Sequence, residues 1–118
     1  MENNFPEILK NKMDEYAHLV YKISRNFPKE ELYGLTSQAR RSATSVILNY
    51  IEGFARQKNA VKQNFWEISY GSLKESKYLL QFSYAENYIE NEEYQKAARL
   101  ADEIGAMLWR SIQSLKQC

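Results

Sequence analysis

Cysteine occurs once in this 118-residue chain, at Cys118, and histidine once, at His18. One thiol excludes an internal disulfide framework and an all-cysteine metal site, and it fits a reducing cytosol; Cys118 reads as a free tail thiol. Only two prolines and four glycines interrupt the chain, and no low-complexity segment occurs, so little in it breaks a helix. No self-similar period marks a solenoid. No run approaches the roughly 20 apolar residues of a membrane span, and the opening MENNFPEILKNK has no apolar core of a secretion signal. A soluble, cytoplasmic protein with no membrane partner is expected. Charge of one sign is also missing. With 16 basic and 15 acidic residues, the total carries no footprint of a nucleic-acid or membrane-surface binder, so only local asymmetry can carry one.

What is present is helical periodicity. A 44% hydrophobic content over 118 residues suffices for one domain with a core of its own. Apolar residues recur at intervals of three and four throughout, which predicts an all-α chain. The punctuation divides it into helices at about 6–26, 36–57, 60–85 and 91–115. Pro6 suits a first turn, and Leu9, Met13, Tyr16, Val20, Ile23 and Phe27 line one side of the first helix. Pro28 and Gly34 bound a connector over 27–35, and Thr36 or Ser37 can cap the second helix. Asn91 is the expected cap of the fourth, with Glu92 and Glu93 complementing its positive end. Its buried side is Tyr94, Ala97, Ala101, Ile104, Leu108, Ile112 and Leu115. Short connections make consecutive helices antiparallel neighbours, so the expected fold is an antiparallel up-down-up-down four-helix bundle over 1–118.

The two middle helices carry the contrast that matters. On the second, Arg41, Ser45, Asn49, Glu52 and Arg56 form a polar stripe opposite Ala39, Ala43, Val46, Tyr50 and Phe54. On the third, the inner stripe reads Val61, Phe65, Ile68, Ser72, Leu79 and Ser83, with Ser69, Ser76 and Leu80 beside it. Trp66, Leu73, Tyr84 and Tyr70 then form a second apolar set, more than one bundle seam requires, and with Leu48 they are candidates for an interface between copies.

Glu75 projects to the apolar side of the third helix on this reading. A carboxylate there needs a partner, and Arg40 is the candidate, giving a structural ion pair whose removal is expected to lower the melting temperature sharply. A perturbed catalytic carboxylate is the competing reading. Residues 36–58 hold four basic side chains and one acidic, whereas 86–103 hold six acidic and two basic. The molecule is therefore polarised. Arg41, Asn49, Arg56, Lys58 and Lys62 can follow a phosphate backbone of RNA or DNA. The competing reading is a solvated face in which Glu52 and Arg56 form an ordinary i,i+4 pair.

Enzyme chemistry finds little support. Glu15 and His18 have the spacing of a di-iron bundle motif, but such sites need two motifs, and His18 falls on the polar side of its helix. No glycine-rich phosphate loop, zinc spacing or G-x-S-x-G elbow is present. No cofactor, metal or catalytic residue is expected. The nine tyrosines fit core and interface, with base stacking as the alternative.

The run Tyr33-Gly34-Leu35-Thr36-Ser37-Gln38, then Arg40-Arg41, Asn49 and Glu52-Gly53-Phe54, resembles the signature of the bacterial four-helix-bundle proteins encoded within intervening sequences of 23S ribosomal RNA genes. Phe65, Tyr70-Gly71-Ser72-Leu73 with Glu75, Glu103-Ile104-Gly105, Met107-Leu108 and Ser114-Leu115-Lys116 extend the resemblance over nearly the whole chain. The family's polar positions fall on Arg40, Arg41, Asn49, Glu52, Ser72 and Glu75. One departure is Ile47-Leu48, where the family often has proline and a small residue; a straighter helix and an interfacial Leu48 are expected. The resemblance implies a non-enzymatic homo-oligomer, commonly a pentameric ring, with a basic surface for nucleic acid. A related bundle is similar to the accessory protein of diversity-generating retroelements, which implies a reverse transcriptase and RNA as partners. The alternative is a protein-interaction scaffold whose ring presents a surface to a partner protein without direct nucleic-acid contact.

Overall fold

The protein, a computed structural model describing residues 4–116, comprises α1 (Phe5–Ser24), α2 (Ser37–Phe54), α3 (Asn59–Ala85) and α4 (Asn91–Lys116). Cys118 lies outside the described residues. Each helix packs on its chain neighbour, and α4 returns to α1, which closes the antiparallel four-helix bundle expected from the punctuation. The α2–α3 pairing is the most extensive. Among the described residues, no helix is long and apolar enough to cross a membrane.

The connectors follow from local chemistry. Between α1 and α2 the chain makes a 3-10 turn at Lys29–Glu31 and a π turn at Leu32–Thr36. The Leu35 amide donates to the Glu31 carboxylate at 3.2 Å, and the Ser37 amide to the Gly34 carbonyl. Thr36 and Ser37 are therefore not caps. Thr36 is already helical (φ −59°, ψ −48°), is buried and makes no side-chain cap bond, because the π turn runs directly into α2 and serves its first amides.

The α3–α4 turn ends α3 with Asn87 in the left-handed region at φ 67°. The Tyr88 amide donates to the Ser83 carbonyl at 2.9 Å and the Asn87 amide to that of Tyr84 at 3.0 Å, the paired bonds of a Schellman motif. Asn91, expected as a cap, stands inside α4. Its Oδ1 instead accepts the Tyr84 hydroxyl at 2.7 Å, tying the end of α3 to the start of α4.

The core follows the expected faces of α1 and α4: Leu9, Met13, Tyr16, Val20 and Ile23 meet Ala97, Ala101, Ile104, Leu108 and Ile112, with Leu100 added. Each large side chain buried this way contributes roughly 1.5–3 kcal/mol. On α2, Ala39, Ala43, Val46 and Tyr50 are interior as expected, but Phe54 is 51% exposed. Gly53 takes the interior position in its place, because Trp66 of α3 fills that space: a Cβ on Gly53 would lie 2.6 Å from the indole Cδ1.

Helix α3 is turned relative to its expected orientation. Its buried residues are Trp66, Ser69, Leu73, Ser76, Leu80 and Ser83, an alternation of large apolar and serine at heptad spacing. Val61 and Ile68, expected inside, are exposed. The serines explain the rotation. Ser69 donates to the Val46 carbonyl at 2.6 Å, Ser76 meets the Tyr16 hydroxyl at 2.7 Å and Ser83 donates to the Leu79 carbonyl at 2.7 Å, so all three sit dry and satisfied where helices approach closely.

Candidate nucleic-acid interface

Helices α2 and α3 present one outward face, whose register is set by three cross-links. Ser45 and Ser72 hydroxyls lie 2.8 Å apart, Ser69 reaches the Val46 carbonyl, and the Trp66 indole donates to the Tyr50 carbonyl at 3.1 Å. The middle of the face opens into a groove of about 550 Å³ lined by Arg41, Ser45, Leu48, Asn49, Ser72 and Glu75. Five of these are polar. Asn49 Nδ2 donates to both the carbonyl and the hydroxyl of Ser45, each at 2.9 Å, so Asn49, Ser45 and Ser72 form one polar ladder across the two helices.

Glu75 and Arg40 are not partners, which corrects the expected buried ion pair. The rotation of α3 puts Ser76 inside and leaves Glu75 exposed on the groove. Arg40 points the other way, toward α1: its Nε donates to Ser24 Oγ at 2.8 Å, and its guanidinium stands 4.7 Å from the centre of the Tyr21 ring. A second guanidinium nitrogen lies 3.5 Å from the Tyr21 carbonyl, so the cation sits at the carbonyl end of α1, where the helix dipole favours it. Among the described residues, neither Arg41 nor Glu75 has an ion-pair partner, although both line the same groove.

The remaining cations gather at one end of the bundle, where α2 hands over to α3. Arg56 pairs with Glu52 and lies 5.1 Å from the Phe65 ring centre. Lys58 is exposed, in extended conformation immediately before α3. The Lys62 ammonium donates to the Phe54 carbonyl at 3.4 Å and stands 5.3 Å from the Phe54 ring and 5.6 Å from that of Trp66. The five candidate positions thus divide into Arg41 and Asn49 on the groove, and Arg56, Lys58 and Lys62 at the end.

Of the interface candidates, Leu48 is 61% exposed and stands at the groove. Trp66 and Leu73 are corrected: both are buried in this chain's own core by the rotation of α3. Tyr70 and Tyr84 are half-buried and already engaged with α4, Tyr70 against Trp109 at 5.8 Å and Tyr84 stacked on Tyr94 at 4.4 Å. Ile68, expected inside, and Phe82, not singled out beforehand, are exposed on α3 instead. His18 is exposed and lies 3.5 Å from Asp14, and among the described residues no three metal-ligating side chains come together.

These features define an all-α antiparallel bundle whose polar groove and basic end share one two-helix face. The chain belongs to the 23S rRNA-intervening sequence protein family, whose model matches residues 8–110. It is similar to the crystal structure of a protein of unknown function from the S23 ribosomal protein family of Bacteroides thetaiotaomicron, with 24% identity and a TM-score of 0.85 over 92% of this chain and 98% of that one. At that identity the likeness speaks for the fold alone. No curated protein matches the chain.

Proposed function

We propose that this protein is a non-enzymatic homo-oligomer that binds RNA through the basic end of its α2–α3 face. The observation that carries the reading is the convergence of Arg56, Lys58 and Lys62 beside the Phe54 and Phe65 rings. Acidic residues Glu86, Glu90, Glu92 and Glu93 gather at the α3–α4 turn, at the opposite end, where they share the end of the bundle with Arg25 and Lys29, so the basic end is the less acidic of the two. Phosphates are drawn to such an end by Coulomb attraction and counterion release. Arg41, without an ion-pair partner among the described residues, stands apart from these cations on the groove, near the start of α2. Self-association uses the apolar side chains between them: exposed Leu48 and Ile68 exceed what one copy hides, and a pentameric ring is the arrangement the family resemblance implies.

A mobility shift with single-stranded RNA at low salt tests the reading. The wild type is expected to bind and an Arg41→Ala/Arg56→Ala variant to bind more weakly. Absence of binding by the folded wild type removes the proposal. The pairing of Arg56 with Glu52 favours a second reading, a protein-interaction scaffold that never touches nucleic acid. That protein would pass through the same assay unshifted.

A further inference from the structure

Phe54 is half exposed in a bundle that buries its other central aromatics, Tyr16, Tyr50 and Trp66. Its ring is not loosely placed: it packs 6.0 Å from Tyr50 and 6.5 Å from Trp66, which are themselves stacked at 5.2 Å. Clefts open on two sides of it. One, of about 280 Å³, runs between Pro6, Glu7 and Lys10 of α1 and Tyr50, Ile51 and Phe54 of α2. The other, of about 440 Å³, is lined by Phe5, Pro6, Tyr50, Phe54, Trp66 and Arg110. Four of these six are aromatic, and two cations stand against the rings. Arg110 stands 5.2 Å from the Phe5 ring, and Lys62 stands over Phe54 from the α3 side.

We infer that this larger cleft holds an unpaired nucleobase, stacked on Phe54, while Lys62 and Arg110 contact the flanking phosphates. The inference rests on the nucleic-acid reading above and narrows it to single-stranded RNA. Three observations on this end of the bundle carry it. An exposed, backed aromatic face offers the flat surface on which any base stacks. Arg110 lines the cleft, and Lys62 stands 5.3 Å from the Phe54 and 5.6 Å from the Trp66 ring centre, so positive charge lies close to where the phosphates of a stacked base would run. Ser111 lines the same cleft, and its hydroxyl, which donates to the Met107 carbonyl at 3.0 Å, keeps a lone pair to accept from a base N–H, such as the N3–H of uracil. A paired duplex presents no base face and has no use for the Phe54 ring. Its binding would depend on charge alone.

The test compares a fluorescent single-stranded oligouridylate with an RNA duplex, for the wild type and for Phe54→Leu. That substitution keeps the apolar cover and removes the stacking face. The expected result is a rise in single-strand Kd of at least about five-fold, since stacking on one aromatic contributes up to about a hundred-fold per base, with duplex affinity unchanged. Arg110→Gln, on an exposed side chain, is expected to weaken single-strand binding and reduce the salt slope by about one. The chain has two tryptophans, so in a Trp109→Phe background only Trp66 reports, and oligouridylate is expected to quench it. Equal single-strand affinity in Phe54→Leu, or binding without Trp66 quenching, overturns the base site while leaving phosphate binding standing. Failure of the wild type to bind either RNA overturns both.

Discussion

The Tyr16 and Ser76 hydroxyls meet 2.7 Å apart in the middle of the bundle, where both side chains are fully buried. This contact joins α1 to α3 across the core and selects which side of α3 faces inward. Ser76→Ala leaves the Tyr16 hydroxyl buried without its partner and is expected to cost about 1–3 kcal/mol. Tyr16→Phe, whose loss leaves Ser76 able to turn to its own helix carbonyls, is expected to cost less. Denaturant unfolding of the two variants measures the difference.

Alkaline pH reports on the same pair. Burial pushes the Tyr16 hydroxyl from 10.0 up to about 12 against the opposing effect of the Ser76 hydrogen bond, and burial, followed by the charge of Glu7, pushes Tyr50 to about 12. Unfolded tyrosines ionise near 10, so above that pH the unfolded chain loses protons that the folded chain retains. Stability is therefore unaffected below pH 10 and falls as pH rises from 10 to about 12, by roughly 2–3 kcal/mol for Tyr16. The melting temperature measured across that range is expected to fall less steeply in Tyr16→Phe.

Two glycines separate packing from propensity. A Cβ at Gly53 would meet Trp66 at 2.6 Å and Phe65 at 3.0 Å, whereas at Gly71 nothing lies within 4 Å. Gly53→Ala is expected to destabilise by about 1–3 kcal/mol through overpacking. Gly71→Ala, in the interior of α3, is expected to stabilise by about 0.5–1 kcal/mol. Thermal unfolding gives both signs in one experiment.

Glu75→Ala is expected to leave unfolding stability within about 0.5 kcal/mol, because the carboxylate is exposed and makes no ion pair among the described residues. Arg40→Ala is expected to cost more, since it removes the hydrogen bond to the buried Ser24 hydroxyl, which keeps only the Tyr21 carbonyl, and the cation over the Tyr21 ring. A Glu75 variant that melts far lower contradicts the exposed placement.

The bundle was legible because its breakers are few and because α1 and α4 carry their apolar residues on one stripe each. The orientation of α3 was not. Val61, Phe65, Ile68 and Leu79 outweigh three serines on any hydrophobicity count, yet Ser69, Ser76 and Ser83 are interior because each small hydroxyl finds a partner there: Ser69 on α2, Ser76 on Tyr16 of α1, and Ser83 on its own helix carbonyl. Their heptad spacing, interleaved with Trp66, Leu73 and Leu80, was the available signal. That misorientation also produced the Glu75–Arg40 pairing and moved Trp66 and Leu73 to the surface. The exposure of Phe54 depended on a contact between Gly53 and Trp66, residues far apart in sequence, which no helical wheel of α2 contains.

Light scattering tests the seam between copies. The wild type is expected to show a multiple of the 13.9 kDa chain mass, and Leu48→Asp/Ile68→Lys, with both substitutions on exposed positions, to show the single chain still folded. A monomeric wild type at working concentration contradicts the ring.

The most direct test of RNA binding at the basic end is the dependence of log Kd on log salt for a single-stranded RNA. A linear loss of affinity with rising salt is expected, with Lys58→Ala and Lys62→Ala each lowering the slope by about one. A flat salt dependence, or a slope that neither lysine changes, contradicts it.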